Sequence, residues 1–445
     1  MDLQGLTVII GLGKTGLSCA RFLARQGVDF AVTDSREVPP GLAELQNELP
    51  NCRIDVGQFS PTLLAQAHRL IISPGVSLRE PALVQAIDRG IPIFGDIELF
   101  AHYAKAPIIA ITGSNGKSTV TTLVGQMAER AGLRVRVGGN LGIPVLELLS
   151  DEAQLYVLEL SSFELESTYS LHAKAATVLN ISADHMDRYN NLAEYAAAKY
   201  RIYHNCEWAI LNRDDEESYP ALSIGAEKTV YFTLQPPMDD EWGLVEDDGF
   251  YLALGQQRLM KTSEMRIKGR HNVANALAAL ALGHTMDLPL SAMIETLKTF
   301  EGLPHRCQWI TESNGVTWYN DSKGTNIGAT QAAIRGLGPD LNGKIILLAG
   351  GLGKEADFTE LRAPIAEYVR SVILFGVDAP KIAAALEGTV SLIHVHDLEE
   401  AVTNARDQAR PGDAVLLSPA CASYDMFDNF EHRGEVFMRC VLNKV

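Results

Sequence analysis

Lys117 and Ser118 close a glycine-containing turn, Gly113–Ser118 (GSNGKS), that follows the apolar stretch Ile109–Thr112 and opens a helical run reaching Ala131. A strand, a tight turn and a helix N-terminus in that order make a cradle for polyphosphate, because free N–H groups and the positive end of the helix dipole face the ligand. In such a cradle Lys117 reaches the β- and γ-phosphates, and the Ser118 hydroxyl joins the shell of a Mg²⁺ ion. Ile111 stands where the strict G-x-x-x-x-G-K-[ST] pattern has its first glycine. A tight turn that binds nothing is the bland alternative; the strand-turn-helix context favours phosphate.

A second glycine turn, Gly11–Gly16 (GLGKTG), also follows a strand and opens a helix, and Asp34 ends the next strand. Read literally this is a dinucleotide fingerprint with Asp34 on the ribose of NAD. It equally suits another nucleotide diphosphate, or a turn packed against its own sheet. The second phosphate site at 113–118 lowers the NAD reading, since a dehydrogenase does not need one. Glu159 ends an apolar strand, where a charge is costly unless paired or on a metal. It reads as a Walker-B-like carboxylate for Mg²⁺, with a rim salt bridge as the alternative. His185 lies between Asp184 and Asp187 after another strand and is as consistent with a structural histidine as with a ligand. Lys199 sits in the helical run Leu192–Tyr203 and, from the residues alone, reads as a solvated charge. Four loops of the last third, Leu303–Arg306, Asn320–Asn326, Ala349–Lys354 and Ser418–Ser423, combine small residues with polar or basic ones. Together they make an anion-binding surface.

Short β-branched runs ending in polar residues must position these groups. They include Val8–Gly11, Phe30–Asp34, Leu70–Ser73, Ile91–Gly95, Leu155–Glu159, Thr177–Asn180, Ile345–Leu348, Val372–Phe375 and Val415–Ser418. Helical stretches rich in Ala, Leu and Glu lie between them, which predicts an α/β protein with parallel sheets and ligands at the strands' C-terminal ends. A chain of 445 residues suggests about three domains. Breaks near residues 95 and 302 predict domains 1–95, 96–302 and 303–445, with the strand- and turn-like segment Thr229–Ile267 decorating the central one. A net charge of −17 argues against nucleic-acid and anionic-membrane partners and requires local cations or Mg²⁺ to neutralise a polyphosphate. No apolar run is long enough to cross a bilayer, and the first residues lack the basic start of a signal peptide, so a cytoplasmic protein is expected; a monomer is expected as well. Cys19, Cys52, Cys206, Cys307, Cys421 and Cys440 show no metal-binding spacing and read as reduced, packed thiols.

Taken in order, Gly11–Ser18 (GLGKTGLS), Thr112–Leu123 (TGSNGKSTVTTL), Leu158–Glu166 (LELSSFELE), Asp184–Tyr189 (DHMDRY), Gly302–Arg306 (GLPHR), Asn320–Asn326 (NDSKGTN), Leu417–Asn429 (LSPACASYDMFDN) and Glu431–Gly434 (EHRG) resemble the Mur ligase family across essentially the whole chain. That family's P-loop is a T-G-[ST]-x-G-K-[ST] variant, which accounts for the missing first glycine. The resemblance implies a Rossmann-like N-terminal domain for a UDP substrate, a central P-loop ATPase domain with a mostly parallel sheet, and a C-terminal Rossmann-like α/β domain for an amino acid. It implies ATP-driven amide formation in peptidoglycan synthesis, in which the carboxylate of UDP-N-acetylmuramoyl-L-alanine is phosphorylated and the acyl phosphate is attacked by the amine of D-glutamate.

Carried over residue by residue, the resemblance puts Lys14, Thr15, Asp34, Ser35, Ser73 and Asn140 at the UDP substrate. Gly113, Ser114, Asn115, Gly116, Lys117, Ser118, Thr119, Asn272, Asn275, Arg306 and Asp321 fall at ATP, and Lys323, Thr325, Lys354, Ser423 and Phe430 at the amino acid. It implies two Mg²⁺ ions on Ser118, Glu159, His185 and a CO₂-derived carbamate of Lys199, with Lys117, Asn140, His185 and Lys199 catalytic. Leu352 stands where the family commonly has Asp, and Gly324 where Ala is frequent. The rival readings are a Mur-type ligase for another amino acid, an NAD-dependent oxidoreductase and a nucleotide-binding regulator.

Overall fold

The computed structural model describes residues 4–140, 142–220, 225–267, 269–353 and 355–442. Its strands form three sheets. The first contains β1 (Thr7–Ile10), β2 (Phe30–Asp34), β3 (Arg53–Val56), β4 (Arg69–Ile72) and β5 (Ile93–Phe94), all parallel in the order β3-β2-β1-β4-β5. The order reverses between β1 and β4, and a crevice at such a switch point is where open α/β sheets bind ligands.

The second sheet holds β6 (Ile108–Thr112), β7 (Val135–Gly139), β8 (Leu155–Glu159), β9 (Ala175–Val178), β10 (Trp208–Asn212), β11 (Lys228–Phe232), β12 (Trp242–Glu246), β13 (Phe250–Leu254) and β14 (Gln257–Lys261). The order is β14-β13-β12-β11-β10-β9-β6-β8-β7, parallel from β7 to β12 and antiparallel through the meander β12-β13-β14. β6 lies between β8 and β9, with Ile111 beside both Glu159 and Thr177, so the residues that follow these strands meet at one edge.

The third sheet contains β15 (Gln308–Ser313), β16 (Val316–Asn320), β17 (Ile345–Gly350), β18 (Val369–Phe375), β19 (Ser391–His394) and β20 (Ala414–Leu417), in the order β15-β16-β20-β17-β18-β19. Among the described residues its β15-β16 hairpin is antiparallel and its other strand pairs are parallel.

Apolar packing joins these sheets unequally. One cluster runs unbroken from Ile9, Leu17 and Leu23 beside the first sheet to Tyr156, Leu158 and Leu211 in the second. The clusters on the two faces of the third sheet contain only residues beyond 306. The first two sheets thus share a core, and separate cores allow relative motion more readily than a shared one. The helical run expected over 192–203 is an α-helix only for Leu192–Tyr200, followed by a 3₁₀ turn, Arg201–Tyr203. The tightening seats the Tyr203 hydroxyl to accept the Val178 N–H at 2.9 Å. Among the described residues, no helix is long and apolar enough to cross a membrane.

Candidate active site

The fully buried strand β6 delivers the chain to a turn in which Gly113 (φ 149°) and Gly116 (φ 83°) take conformations open chiefly to glycine. A Cβ on Gly116 would sit 2.4 Å from Asn275 Oδ1. Asn180 binds the turn from outside: its carbonyl accepts the Ser114 N–H at 2.9 Å, and its Oδ1 accepts the Asn115 N–H at 2.8 Å. Lys117 begins the helix Lys117–Arg130 and folds its ammonium back onto the carbonyls of Gly113 and Ser114, both at 2.9 Å. Desolvation lowers the Lys117 pKa, against the pull of Glu159 and Asp184.

Ser118 is a crossing point. Its hydroxyl donates to Glu159 Oε2 and accepts from Arg306 Nη2, each at 2.6 Å. Asn140 Nδ2 donates to the other Glu159 oxygen at 2.7 Å. Burial pushes the Glu159 carboxyl up. Lys117 and Arg306, with the bonds from Ser118 and Asn140, more than reverse this and hold it below its ordinary value. A buried, ionised carboxylate beside a hydroxyl at a phosphate cradle is an oxygen donor set suited to Mg²⁺, which binds through one or two carboxylates plus substrate phosphates.

Lys199 departs from the solvated charge its helical setting suggests. It is 2% exposed, with its ammonium 3.3 Å from Thr112 Oγ1 and 4.6 Å from the centre of the Tyr195 ring. Burial and the charge of Lys117 depress its pKa strongly, against Asp184, Glu159 and Glu164. His185 adopts φ 57°, lies 3.7 Å from Asp184 Oδ2 and packs edge-on against Phe163 at 4.9 Å. Asp184 Oδ2 also accepts from Asn326 Nδ2 at 3.1 Å, a link from the third sheet's loops.

In those loops Asp321 accepts the Ser418 hydroxyl at 2.7 Å and the Cys307 N–H at 3.1 Å, while burial raises its pKa to about 6. Lys323 lies 3.8 Å above the Phe430 ring, and burial lowers its pKa to about 8. Gly324 fits closely here: a Cβ would sit 2.6 Å from Asp321 Oδ2 and 2.7 Å from Ser418 Oγ. Leu352 pairs its backbone with Ala422 in an isolated bridge. Lys354 lies outside the described residues.

Two cavities gather these groups. The larger, about 980 Å³, runs from Gly11, Lys14, Thr15, Asp34, Ser35 and Ser73 past Asn140, Ser118 and Glu159 to Arg306, Lys323 and Phe430. The smaller, about 360 Å³, is walled by Asn115, Gly116, Thr119, Asn272, Asn275 and Asp321. Arg306 and Lys323 line both. Lys117, His185, Lys199, Thr325 and Ser423 line neither of these two.

At the far end of the larger cavity, Asp34 is already engaged. Its oxygens accept the Leu12 N–H at 2.7 Å, the Arg36 N–H at 2.9 Å, and two guanidinium bonds from Arg36 at 2.9 and 2.6 Å. Burial alone would raise this carboxyl, but the Arg36 and backbone bonds bring it below its ordinary value. Four bonds fill the acceptor capacity of a carboxylate, so Asp34 must exchange one of them to accept from a ribose. The turn itself needs glycine at 16, where a Cβ would sit 2.0 Å from the Gly11 carbonyl oxygen.

Sequence reasoning passed over several residues in and around the site. Arg36 carried a signal in its position beside Asp34. Asn180 and Asn326 lie inside or beside quoted motifs but gave no sign of their partners. Asp96 and Glu164 are buried carboxyls on the larger cavity's wall, both raised by burial and Glu164 further by Asp96.

Comparison with known proteins agrees along the chain. Residues 5–95 match the MurD-like N-terminal domain of Mur ligases, 111–283 the Mur ligase middle domain, and 305–421 the Mur ligase glutamate ligase domain. The UDP-N-acetylmuramoylalanine–D-glutamate ligase of Pseudomonas aeruginosa is 54% identical over 438 residues, 98% of this chain and 97% of that protein. The enzyme of the same name from Nitrosococcus oceani is 54% identical over 437 residues, 98% of this chain and 96% of its own. Among solved structures, UDP-N-acetylmuramate–alanine ligase from Thermotoga maritima shares the fold with a TM-score of 0.62 at 18% identity, across 99% of this chain and 100% of that one. A bifunctional folylpolyglutamate/dihydrofolate synthase from Yersinia pestis, solved with AMPPNP and Mn, gives 0.59 at 18% identity over 78% and 93% of the two chains.

Proposed function

The chain belongs to the Mur ligase family of ATP-dependent amide ligases, and we propose that within it this protein joins D-glutamate to UDP-N-acetylmuramoyl-L-alanine in peptidoglycan synthesis. The observation that carries this reading is a single cavity leading from the first glycine turn, past Ser118 and Glu159, to Arg306, Lys323 and Phe430. The choice of D-glutamate rests on relatives of that activity at 54% identity over 98% of the chain.

In this reading domains 1–95, 96–302 and 303–445 receive the UDP substrate, ATP and the amino acid. Lys14, Thr15, Ser35 and Ser73 contact the nucleotide, and Asp34 shapes its turn through Leu12 and Arg36. ATP takes the smaller cavity, with Asn272 and Asn275 at its wall and its phosphates on residues 113–119. Lys117 leaves the carbonyls of Gly113 and Ser114 for the phosphates.

A carboxylate oxygen of the UDP substrate then attacks the γ-phosphorus, the bond to the β-phosphate oxygen breaks, and ADP leaves. Two anions must approach, so catalysis rests on positioning and on the cations Lys117 and Arg306. The amine of D-glutamate, held by Lys323, Thr325, Lys354, Ser423 and Phe430, attacks the acyl carbon. The C–N bond forms, the amine loses a proton, and phosphate leaves. Ser118 and Glu159 suit one Mg²⁺, which supplies charge neutralisation of the phosphate oxygens. His185 and a carbamate of Lys199 would hold a second ion. Lys199 fits carbamylation because a neutral amine is what adds to CO₂, releasing one proton, and burial favours that neutral form. Asn140 holds Glu159 while facing the substrate. We place the reaction in the cytoplasm, where ATP is available.

The test is phosphate release. It should require UDP-N-acetylmuramoyl-L-alanine and D-glutamate together; turnover with L-alanine or diaminopimelate instead would overturn the amino-acid assignment, and no ATP consumption with any of them would overturn the ligase.

A further inference from the structure

Resting on the ligase reading, we propose that Arg188 is a positioning residue that couples the nucleotide end of the larger cavity to the loop that carries His185.

Arg188 belongs to the loop that carries His185, and its N–H donates to the His185 carbonyl at 2.9 Å. Its guanidinium reaches out of the central domain: Nη1 donates to the Pro74 carbonyl and Nη2 to the Val76 carbonyl, both at 3.0 Å. Pro74 and Val76 wall the cavity beside Ser73. This lip is tied to the first glycine turn, because the Ser73 hydroxyl donates to the Gly11 carbonyl at 3.0 Å and the Val76 N–H to the Ser73 carbonyl at 3.0 Å.

On its other side Arg188 lies 4.2 Å over the Phe163 ring, and Phe163 meets the edge of His185 at 4.9 Å. Glu166 Oε2 stands 3.5 Å from the same guanidinium. A planar guanidinium can stack on a ring while donating in its own plane, which an ammonium cannot do. Arg188 therefore fixes the distance between the lip that holds the nucleotide and the His185 imidazole. A short offset at a reacting centre is costly to rate.

Steady-state kinetics of R188M, R188K, F163L and the R188M/F163L double variant test this. Alongside them runs R79A, which removes a surface ion pair to Glu194 joining the same two domains. R188M should lose at least about tenfold in kcat/KM for the UDP substrate while its KM for ATP stays within about twofold, the pattern of a lost positioning contact. R188K should recover little of it, and the double variant should be less impaired than the product of the single losses, since both break one chain of contacts. R79A should behave like wild type. The proposal falls if R188M keeps wild-type kinetics, if R79A reproduces its loss, or if R188M weakens ATP and UDP-substrate parameters equally with a lowered Tm. If R188M does not fold, R188K and F163L carry the same comparison. Absence of wild-type turnover would instead defeat the ligase reading.

Discussion

The two glycine turns of this chain look alike in sequence and differ in what their side chains have left to offer. At 11–16 the backbone is closed around its own needs: Gly16 meets the Gly11 carbonyl, and Asp34 gives all its acceptor capacity to Leu12 and Arg36. At 113–118 the sequence pattern is poorer, yet Lys117 and Ser118 hold contacts a ligand can exchange. Lys117 sits on two loop carbonyls, and Ser118 sits between the anion Glu159 and the cation Arg306. The glycines of a motif report on backbone shape; the chemistry follows from which side-chain contacts a ligand can exchange.

Replacing Lys117 should give the largest separation between the turns. K117A is expected to lower ATP-dependent phosphate release by at least about a thousandfold, since it removes a cation from a phosphoryl transfer between anions. Binding of UDP-N-acetylmuramoyl-L-alanine, measured calorimetrically, should be nearly unchanged because that ligand begins at the other turn. Equal loss of both would mean the turns do not serve separate ligands.

Lys199 sharpens the P-loop side. K199A should be slower by about a hundredfold or more and partly restored by millimolar formate or acetate, which replace the oxygens a carbamate would supply. A variant that no small carboxylate rescues would remove the carbamate from the mechanism. Residue type and spacing alone did not single out this residue from its helix; only the family resemblance did. Its burial arises only in the fold, where Lys199 near the end of the helix Leu192–Tyr200 reaches Thr112 of β6.

The same limit applies more widely. Strands that are apolar on both faces, such as Leu155–Glu159 and Ile345–Gly350, were plain in the sequence because central parallel strands need no polar alternation. The edge strands Arg53–Val56 and Ser391–His394 are half-exposed and carry little apolar signal. In the candidate site, Gly113–Ser118 and Glu159 were legible because strand ends and turns are local. The contacts Arg306 to Ser118 and Arg188 to Pro74 join residues far apart in the chain, and only the folded arrangement reveals them.

Glycine substitutions divide the first turn into a structural half and a ligand half. G16A forces a Cβ to 2.0 Å from the Gly11 carbonyl oxygen, so the backbone must move; Tm should fall by several degrees and UDP-substrate binding with it. At Gly13 a Cβ meets nothing within 4 Å. G13A should therefore keep the wild-type Tm and raise the KM for the UDP substrate by about tenfold, the cost of a side chain where backbone meets diphosphate. If G13A binds that substrate normally, the diphosphate does not lie on this turn.

The smallest effect expected is a pH dependence confined to the first turn, because its anchor is an anion whereas the P-loop's is the Lys117 cation. Asp34 has a folded pKa below its ordinary value of 3.8, through Arg36 and the N–H groups of Leu12 and Arg36 acting against burial. Its unfolded form binds a proton more readily, so its stabilisation is fully present above pH 3.8 and is lost as pH falls through the lower folded value. D34N should thus be less stable than wild type at pH 7 by about 2 kcal/mol, the scale of charged hydrogen bonds replaced by poorer ones. The gap should narrow in urea melts as the pH drops below 3.8, while K117A, measured alongside, shows no such narrowing. A D34N deficit that persisted at low pH would mean that Asp34 braces the turn by shape, and that the two turns are anchored in the same way after all.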